Sequence, residues 1–180
     1  GPALNNDNNF VLTNAGHSGR WDMKFMGWSI ELDNTGAMSG ISSGFREPNG
    51  IGNFGPNKDI FITDNQGHWT AACELNHLRP GKYFGRPSAT PDPEKLYKGR
   101  NNFTPPAVWF PYSLARSVSG LTEIKDDKFG PFKGQLLVGD FQNALVTRVF
   151  LEKVNGEYQG VVFPFLKGFS SGVNRLTFGA

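Results

Sequence analysis

The stretch SGFREPNGIGNFGPNKDIFITDNQG, Ser43 to Gly67, decides the fold. It joins a Gly/Pro/Asn-rich corner, a short strand, a turn and the apolar strand Ile60-Phe61-Ile62-Thr63, which stops in Asp64, Asn65, Gln66 and Gly67. A strand that ends in polar side chains and a glycine reads as the rim of a β-architecture, where sites are usually built.

Outward from this stretch, the same grammar recurs. Trp28 to Asp33 alternates apolar and polar side chains, turns at Asn34-Thr35-Gly36 and returns from Ala37 to Phe45, the pattern of a half-buried hairpin. Gly50–Phe54 and Asp59–Thr63 flank the turn Gly55-Pro56-Asn57-Lys58. Further strands are expected at Phe10–Thr13, Val118–Ile124, Gln135–Val138, Leu145–Lys153, Tyr158–Leu166 and Val173–Phe178, with Asn155-Gly156 as the strongest hairpin signal. Periodicity fails from His68 to Pro111, which reads as a long surface excursion at about 68–111. Residues 1–9 read as a poorly ordered segment or tag remnant. Gly1-Pro2 resembles the scar of a tag-removing protease, so the chain is expected to start inside a longer one.

An internal repeat organises these strands. Ile60–Gln66 has its counterpart in Leu136-Leu137-Val138-Gly139-Asp140-Phe141-Gln142, each an apolar strand ending in Asp-x-Gln. The hairpin Trp28–Phe45 is echoed by Arg148–Phe169. Repeats of about 40 to 50 residues built from hairpins are the signature of a β-propeller. The fold expected is all-β: four-stranded antiparallel blades, between two and three of them, forming one partial propeller domain over 10–180.

Composition agrees. The 23 glycines and 12 prolines punctuate short strands, and 16 phenylalanines with 4 tryptophans supply bulky fillers for sheet-on-sheet packing. A net charge of +2, with no basic run, argues against nucleic-acid binding. Cys73 stands alone, so no intrachain disulfide forms. No stretch approaches the roughly 18 apolar residues of a membrane span, and no signal peptide is expected.

Gly44-Phe45-Arg46-Glu47-Pro48-Asn49-Gly50 resembles the G-x-R-N-P-x-G corner of the six-bladed glucose/sorbosone dehydrogenase-like propellers. The strand end Asp64–Gly67 is similar to the one that faces the cofactor in that family. Asn76-His77-Leu78 followed by Pro80–Pro87 is similar to its N-x-(x)-G-G-x-(Y/F)-G-x-P segment. The resemblance runs from about Trp28 onward, and the sorbosone-dehydrogenase-like branch of secreted bacterial proteins is the nearest in flavour. It implies oxidation of sugars or aldehydes with pyrroloquinoline quinone (PQQ) and calcium, in a periplasmic or extracellular setting. It places Arg46 and Gln66 against the quinone, Gln142 where the family carries a lysine, and the backbone carbonyls of Gly67 and His68 on calcium. The asparagine expected after the arginine is Glu47, and later arginines are replaced by Gly172 and Asn174. The family's catalytic histidine would lie before residue 1, so no catalytic residue is assigned. An anionic quinone needs several cations and a base. The chain is therefore expected to be a segment of a quinoprotein propeller that binds no cofactor and does not turn over alone. The alternatives are a non-catalytic module binding carbohydrate or protein, and a self-assembling half-propeller scaffold.

Other residues carry paired readings. Asp64 and Asp140 suit acid/base or metal chemistry, but equivalent positions in a repeat more often cap turns. Arg46 suits an anion or the carbonyls of a neighbouring blade. His68, Cys73 and His77 are zinc-ligand types without a zinc spacing, and His17 has no visible partner. Trp69, Trp109, Phe110 and Tyr112 suit sugar stacking or pinning of the excursion to the blades. A half-ring exposes blade faces and strand edges. The expected partner is therefore a second copy closing a ring about a two-fold axis, or the missing blades.

Overall fold

The computed structural model describes residues 1–16, 23–67, 70–86 and 103–179. Twelve strands follow one another: β1 (Ala3–Leu4), β2 (Phe10–Thr13), β3 (Trp28–Leu32), β4 (Met38–Ser43), β5 (Pro48–Phe54), β6 (Asp59–Asn65), β7 (Ala72–His77), β8 (Val108–Pro111), β9 (Val118–Glu123), β10 (Leu136–Asp140), β11 (Leu145–Val154) and β12 (Glu157–Lys167). They form three four-stranded sheets in simple chain order, β1–β4, β5–β8 and β9–β12, with every neighbouring pair antiparallel.

The sheets stand face to face with their first strands side by side. Asn53 Nδ2 donates to the Leu4 carbonyl at 3.0 Å, linking β5 to β1. Thr63 Oγ1 donates to the Ser119 carbonyl at 2.8 Å, and Gly55 N to Glu123 Oε2 at 3.1 Å, linking the second sheet to β9. Gly120 N donates to the Asn174 carbonyl at 3.1 Å, bringing the tail of the chain beside β9 in turn. First strands ranged about one axis make each sheet a propeller blade.

Two apolar layers fill the gaps. Ala3, Val11, Phe45, Ile60, Ile62, Leu78 and Phe84 sit between the first and second sheets. A larger layer, with Phe61, Leu75, Val108, Phe110, Val118, Leu136, Val149 and Leu151, sits between the second and third. Residues adjacent to these in sequence point the other way, as strand alternation requires. Leu4, Phe10, Leu32 and Met38 are register partners forming one row on the free face of the first sheet, and Leu4, Phe10 and Met38 are exposed. Phe150 opposes Val161 on the outer face of the third sheet, beside Phe163, and all three are exposed. The other end of that face, Ile124, Leu137 and Val146, is covered by Phe132, Phe165, Val173 and Leu176.

Several expectations are corrected. There are three blades rather than a number between two and three. Residues 1–9 contribute β1, which pairs with β2 through Ala3–Val11 and Leu4–Phe10. The excursion at about 68–111 contains β7 and β8, which complete the second sheet. β7 hides from a periodicity reading because Glu74 and Asn76 are buried polar residues among Cys73 and Leu75. β8 ends in Pro111, tolerated on an outermost strand where no donor is needed. β6 runs on through Asp64 and Asn65 instead of stopping at Thr63. Val173–Phe178 forms no strand. It lies where the first strand of a fourth sheet would sit, and no described residue offers it a ladder. The hairpin at Asn155-Gly156 is present, with φ of 52° and 84° as a type I′ turn requires.

Candidate functional site

The site lies at the rim where β4 turns into β5 and β6 runs towards β7. The corner after Ser43 is held from both sides. Segment 82–86 runs beside it, with Ser43 N donating to the Lys82 carbonyl at 3.0 Å and Phe84 N to the Ser43 carbonyl at 2.8 Å. The rings of Phe45 and Phe84 stack beneath it at 4.9 Å. From the other side, fully buried Asp64 accepts the backbone N–H groups of Arg46 at Oδ2 (2.9 Å) and Glu47 at Oδ1 (2.7 Å).

Asp140 does the same work one blade on, accepting from Ser117 N at Oδ2 and Asn143 N at Oδ1, both at 2.6 Å. The two aspartates thus cap corners of successive blades through backbone donors, and none of those donors is common to both.

Arg46 and Gly67 are brought together. Nη1 of Arg46 donates to the Asn65 carbonyl at 3.0 Å and to Glu47 Oε2 at 3.1 Å, while its guanidinium lies over Gly67. A Cβ there would overlap the guanidinium, and the φ of 59° also favours glycine. Nε of Arg46 is buried without a hydrogen-bond partner. The Gly67 carbonyl, expected on calcium, accepts the Tyr112 hydroxyl. His68, the second expected carbonyl, lies outside the described residues, as do His17 and Trp69.

Gln66 is buried beneath them. Its Nε2 donates to Asp64 Oδ2 and to Glu74 Oε2, both at 2.9 Å, and its Oε1 has no partner. Asn76 Nδ2 adds a third donor, to Glu74 Oε2 at 3.1 Å. Asp64 and Glu74 are direct cross-strand partners, an arrangement that repels when both are ionised. Burial, and then the charge of Asp64, pushes the Glu74 carboxyl up to about 8. Burial also raises Asp64, against the pull of the Arg46 and Glu47 N–H groups and the Arg46 charge. One proton on the pair resolves the conflict at neutral pH.

Gln142 lies exposed on the equivalent turn of the third blade. Arg86 was not assigned from sequence. Its backbone N donates to the Gly44 carbonyl at 2.8 Å, and burial together with the nearby Arg46 charge lowers its pKa. Glu74 was also missed; the signal was a pair of polar residues, Glu74 and Asn76, on one face of an otherwise apolar strand. The zinc reading fails for Cys73 and His77. They are four residues apart on β7, about 13 Å along a strand. Cys73 is buried against Asn65 Oδ1 at 3.3 Å, with burial pushing its thiol up to about 11, and His77 stacks on Phe61. Among the described residues, no group of three or more His, Cys, Asp or Glu could hold a metal. Phe110 is core and Tyr112 pins the corner, while Trp109 is partly exposed against Phe103.

Four-stranded antiparallel sheets set face to face about an axis, with a polar rim above, define a β-propeller, of which this chain forms three blades. The Glucose / Sorbosone dehydrogenase sequence profile matches residues 31–162, and the chain belongs to that family. Solved structures agree in fold. A glucose dehydrogenase superposes with a TM-score of 0.77 at 18% identity, over 97% of this chain and 56% of that one. A putative oxidoreductase (glucose dehydrogenase) of Thermus thermophilus gives 0.74 at 19%, over 99% and 55%. The soluble aldose sugar dehydrogenase of Escherichia coli gives 0.64 at 17%, over 84% and 50%. The chain thus spans about half the length of the solved structures it matches. No curated protein sequence matches it. No described helix is long and apolar enough to cross a membrane.

Proposed function

We propose that this chain is a three-blade segment of a quinoprotein sugar dehydrogenase, acting outside the cytoplasm. In this reading it binds the anionic edge of PQQ in a completed ring and does not catalyse alone. The observation that carries the reading is the Arg46 guanidinium seated on Gly67 with Nε buried and unpaired, above Gln66 with Oε1 unpaired. A buried donor and a buried acceptor left open at one rim fit a planar anion that also donates. Arg46 supplies charge and a directional donor, Arg86 a second cation nearby, and Gln66 an acceptor. PQQ, when bound, supplies the two-electron acceptor for oxidation of a sugar hydroxyl or aldehyde. Gln142 contributes no charge, so further cations and the base that removes the substrate proton belong to other blades. Titrating PQQ with calcium into the completed ring, and following dye reduction on aldoses, tests the reading; absence of binding there defeats it.

The apolar rows on the two outer faces support the partner proposed. A second copy, placing its first sheet on the third sheet of its mate and the reverse, closes a six-bladed ring. The remaining blades of a longer chain would cover the same faces. A non-catalytic rim binding carbohydrate is favoured by one observation, the Tyr112 hydroxyl already on the Gly67 carbonyl. Glycan-array binding without quinone binding would select it.

A further inference from the structure

We infer that Glu74 is a positioning residue of the cofactor pocket: it locks the Gln66 amide in one orientation and, through Gln66 and Asp64, ties that amide to the corner bearing Arg46. The inference rests on the reading that Arg46 and Gln66 face the quinone. Its own support is geometric. Glu74 is 3% exposed and Gln66 1%. The two N–H bonds of Gln66 are spent on two different carboxyl groups, Glu74 at 2.9 Å and Asp64 at 2.9 Å. Rotating the amide by half a turn would set Oε1 against Asp64 Oδ2, replacing that hydrogen bond by a repulsion, and would take the amide donor away from Glu74 Oε2. Only one orientation survives, with Oε1 left as the free acceptor. The ligand atom facing Gln66 must then be a donor or a cation. Asn76 Nδ2 donates to the same Oε2 of Glu74 at 3.1 Å, and Asp64 passes the constraint to the N–H groups of Arg46 and Glu47. One connected set of hydrogen bonds therefore sets both ligand-facing residues, with Gln66 Oε1 and Asn76 Oδ1 its two buried acceptors without partners.

The expected loss follows from removing the partner that orients a ligand-holding side chain, roughly tenfold or more. Glu74→Gln keeps the geometry. Its carbonyl oxygen accepts from Gln66 and Asn76 as Oε2 does, and its amide takes the place of the other carboxyl oxygen. Glu74→Ala removes the acceptor, and Glu74→Asp, one methylene shorter, draws it back should the alanine variant not fold.

Two measurements decide it. In the 180-residue chain labelled with [15N]glutamine, side-chain amides arise only from Gln66, Gln135, Gln142 and Gln159, and Gln66→Glu assigns the buried pair. That pair exchanges slowly in the wild type and in E74Q, and at least about tenfold faster in E74A or E74D. In the completed ring, PQQ with calcium binds E74Q as it does wild type and E74A or E74D at least about tenfold more weakly. Unchanged exchange and unchanged affinity in E74A and E74D, or equal loss in E74Q, overturns the inference. If wild type binds no quinone, the functional reading falls, while the exchange measurement still decides whether Glu74 orients Gln66.

Discussion

Replacing Glu74 by glutamine should flatten the pH dependence of stability. In the unfolded chain the Glu74 carboxyl ionises near 4.5; in the folded chain burial, and then the Asp64 charge, moves it to about 8. Between those values the folded state keeps a proton that the unfolded state has released. Stability attributable to Glu74 is therefore complete below 4.5 and falls as pH rises towards 8, by about 1.4 kcal/mol per pH unit. Asp64 follows the same sign over a lower window and is present in both proteins. From pH 5.5 to 7.5 the wild type should thus lose about 3 kcal/mol relative to Glu74→Gln. For a domain of this size that is a relative fall in Tm of about 6–12 °C. Thermal unfolding followed by circular dichroism at matched ionic strength measures it. Parallel Tm profiles for the two proteins across this range would refute the claim that Glu74 is buried as the neutral acid.

Other perturbations test neighbouring steps. Asp140→Ala strands the N–H groups of Ser117 and Asn143 and should cost about 2–4 kcal/mol in urea unfolding; a loss under about 0.5 kcal/mol would deny its capping role. Gly67→Ala combines a left-handed φ with overlap of the Arg46 guanidinium, so it should weaken quinone binding in the completed ring at least about tenfold. Equal affinity would place the guanidinium elsewhere. Phe150→Glu on the outer face of the third sheet should abolish association of two copies in analytical ultracentrifugation if a second copy closes the ring. A wild-type chain that remains monomeric at micromolar concentration assigns those faces to other blades.

What could be read in the sequence follows the physics of each strand. Hairpins such as β11–β12 announced themselves because one face is buried and the turn Asn155-Gly156 has a specific chemistry. The repeat made the shared role of Asp64 and Asp140 legible, and the corner motif singled out Arg46 and Gln66. β7 did not announce itself, because Glu74 and Asn76 are buried at the cost of a hydrogen-bond network that no local pattern encodes. Glu74 was hidden for the same reason: its partners Asp64 and Gln66 come from the neighbouring strand and turn. β1, with two residues, is too short to show a period. Val173–Phe178 has the composition of a strand, but no described residue pairs with it in a ladder.

Arg46 is the residue on which the functional account turns. Calorimetric titration of PQQ, with calcium, into the completed ring should give saturable binding to wild type. In Arg46→Gln, which keeps a donor and removes the charge, that binding should weaken by at least about two orders of magnitude, a loss of roughly 3 kcal/mol as for a charge-assisted bond. Equal affinity in wild type and Arg46→Gln, or no binding to wild type, would contradict it.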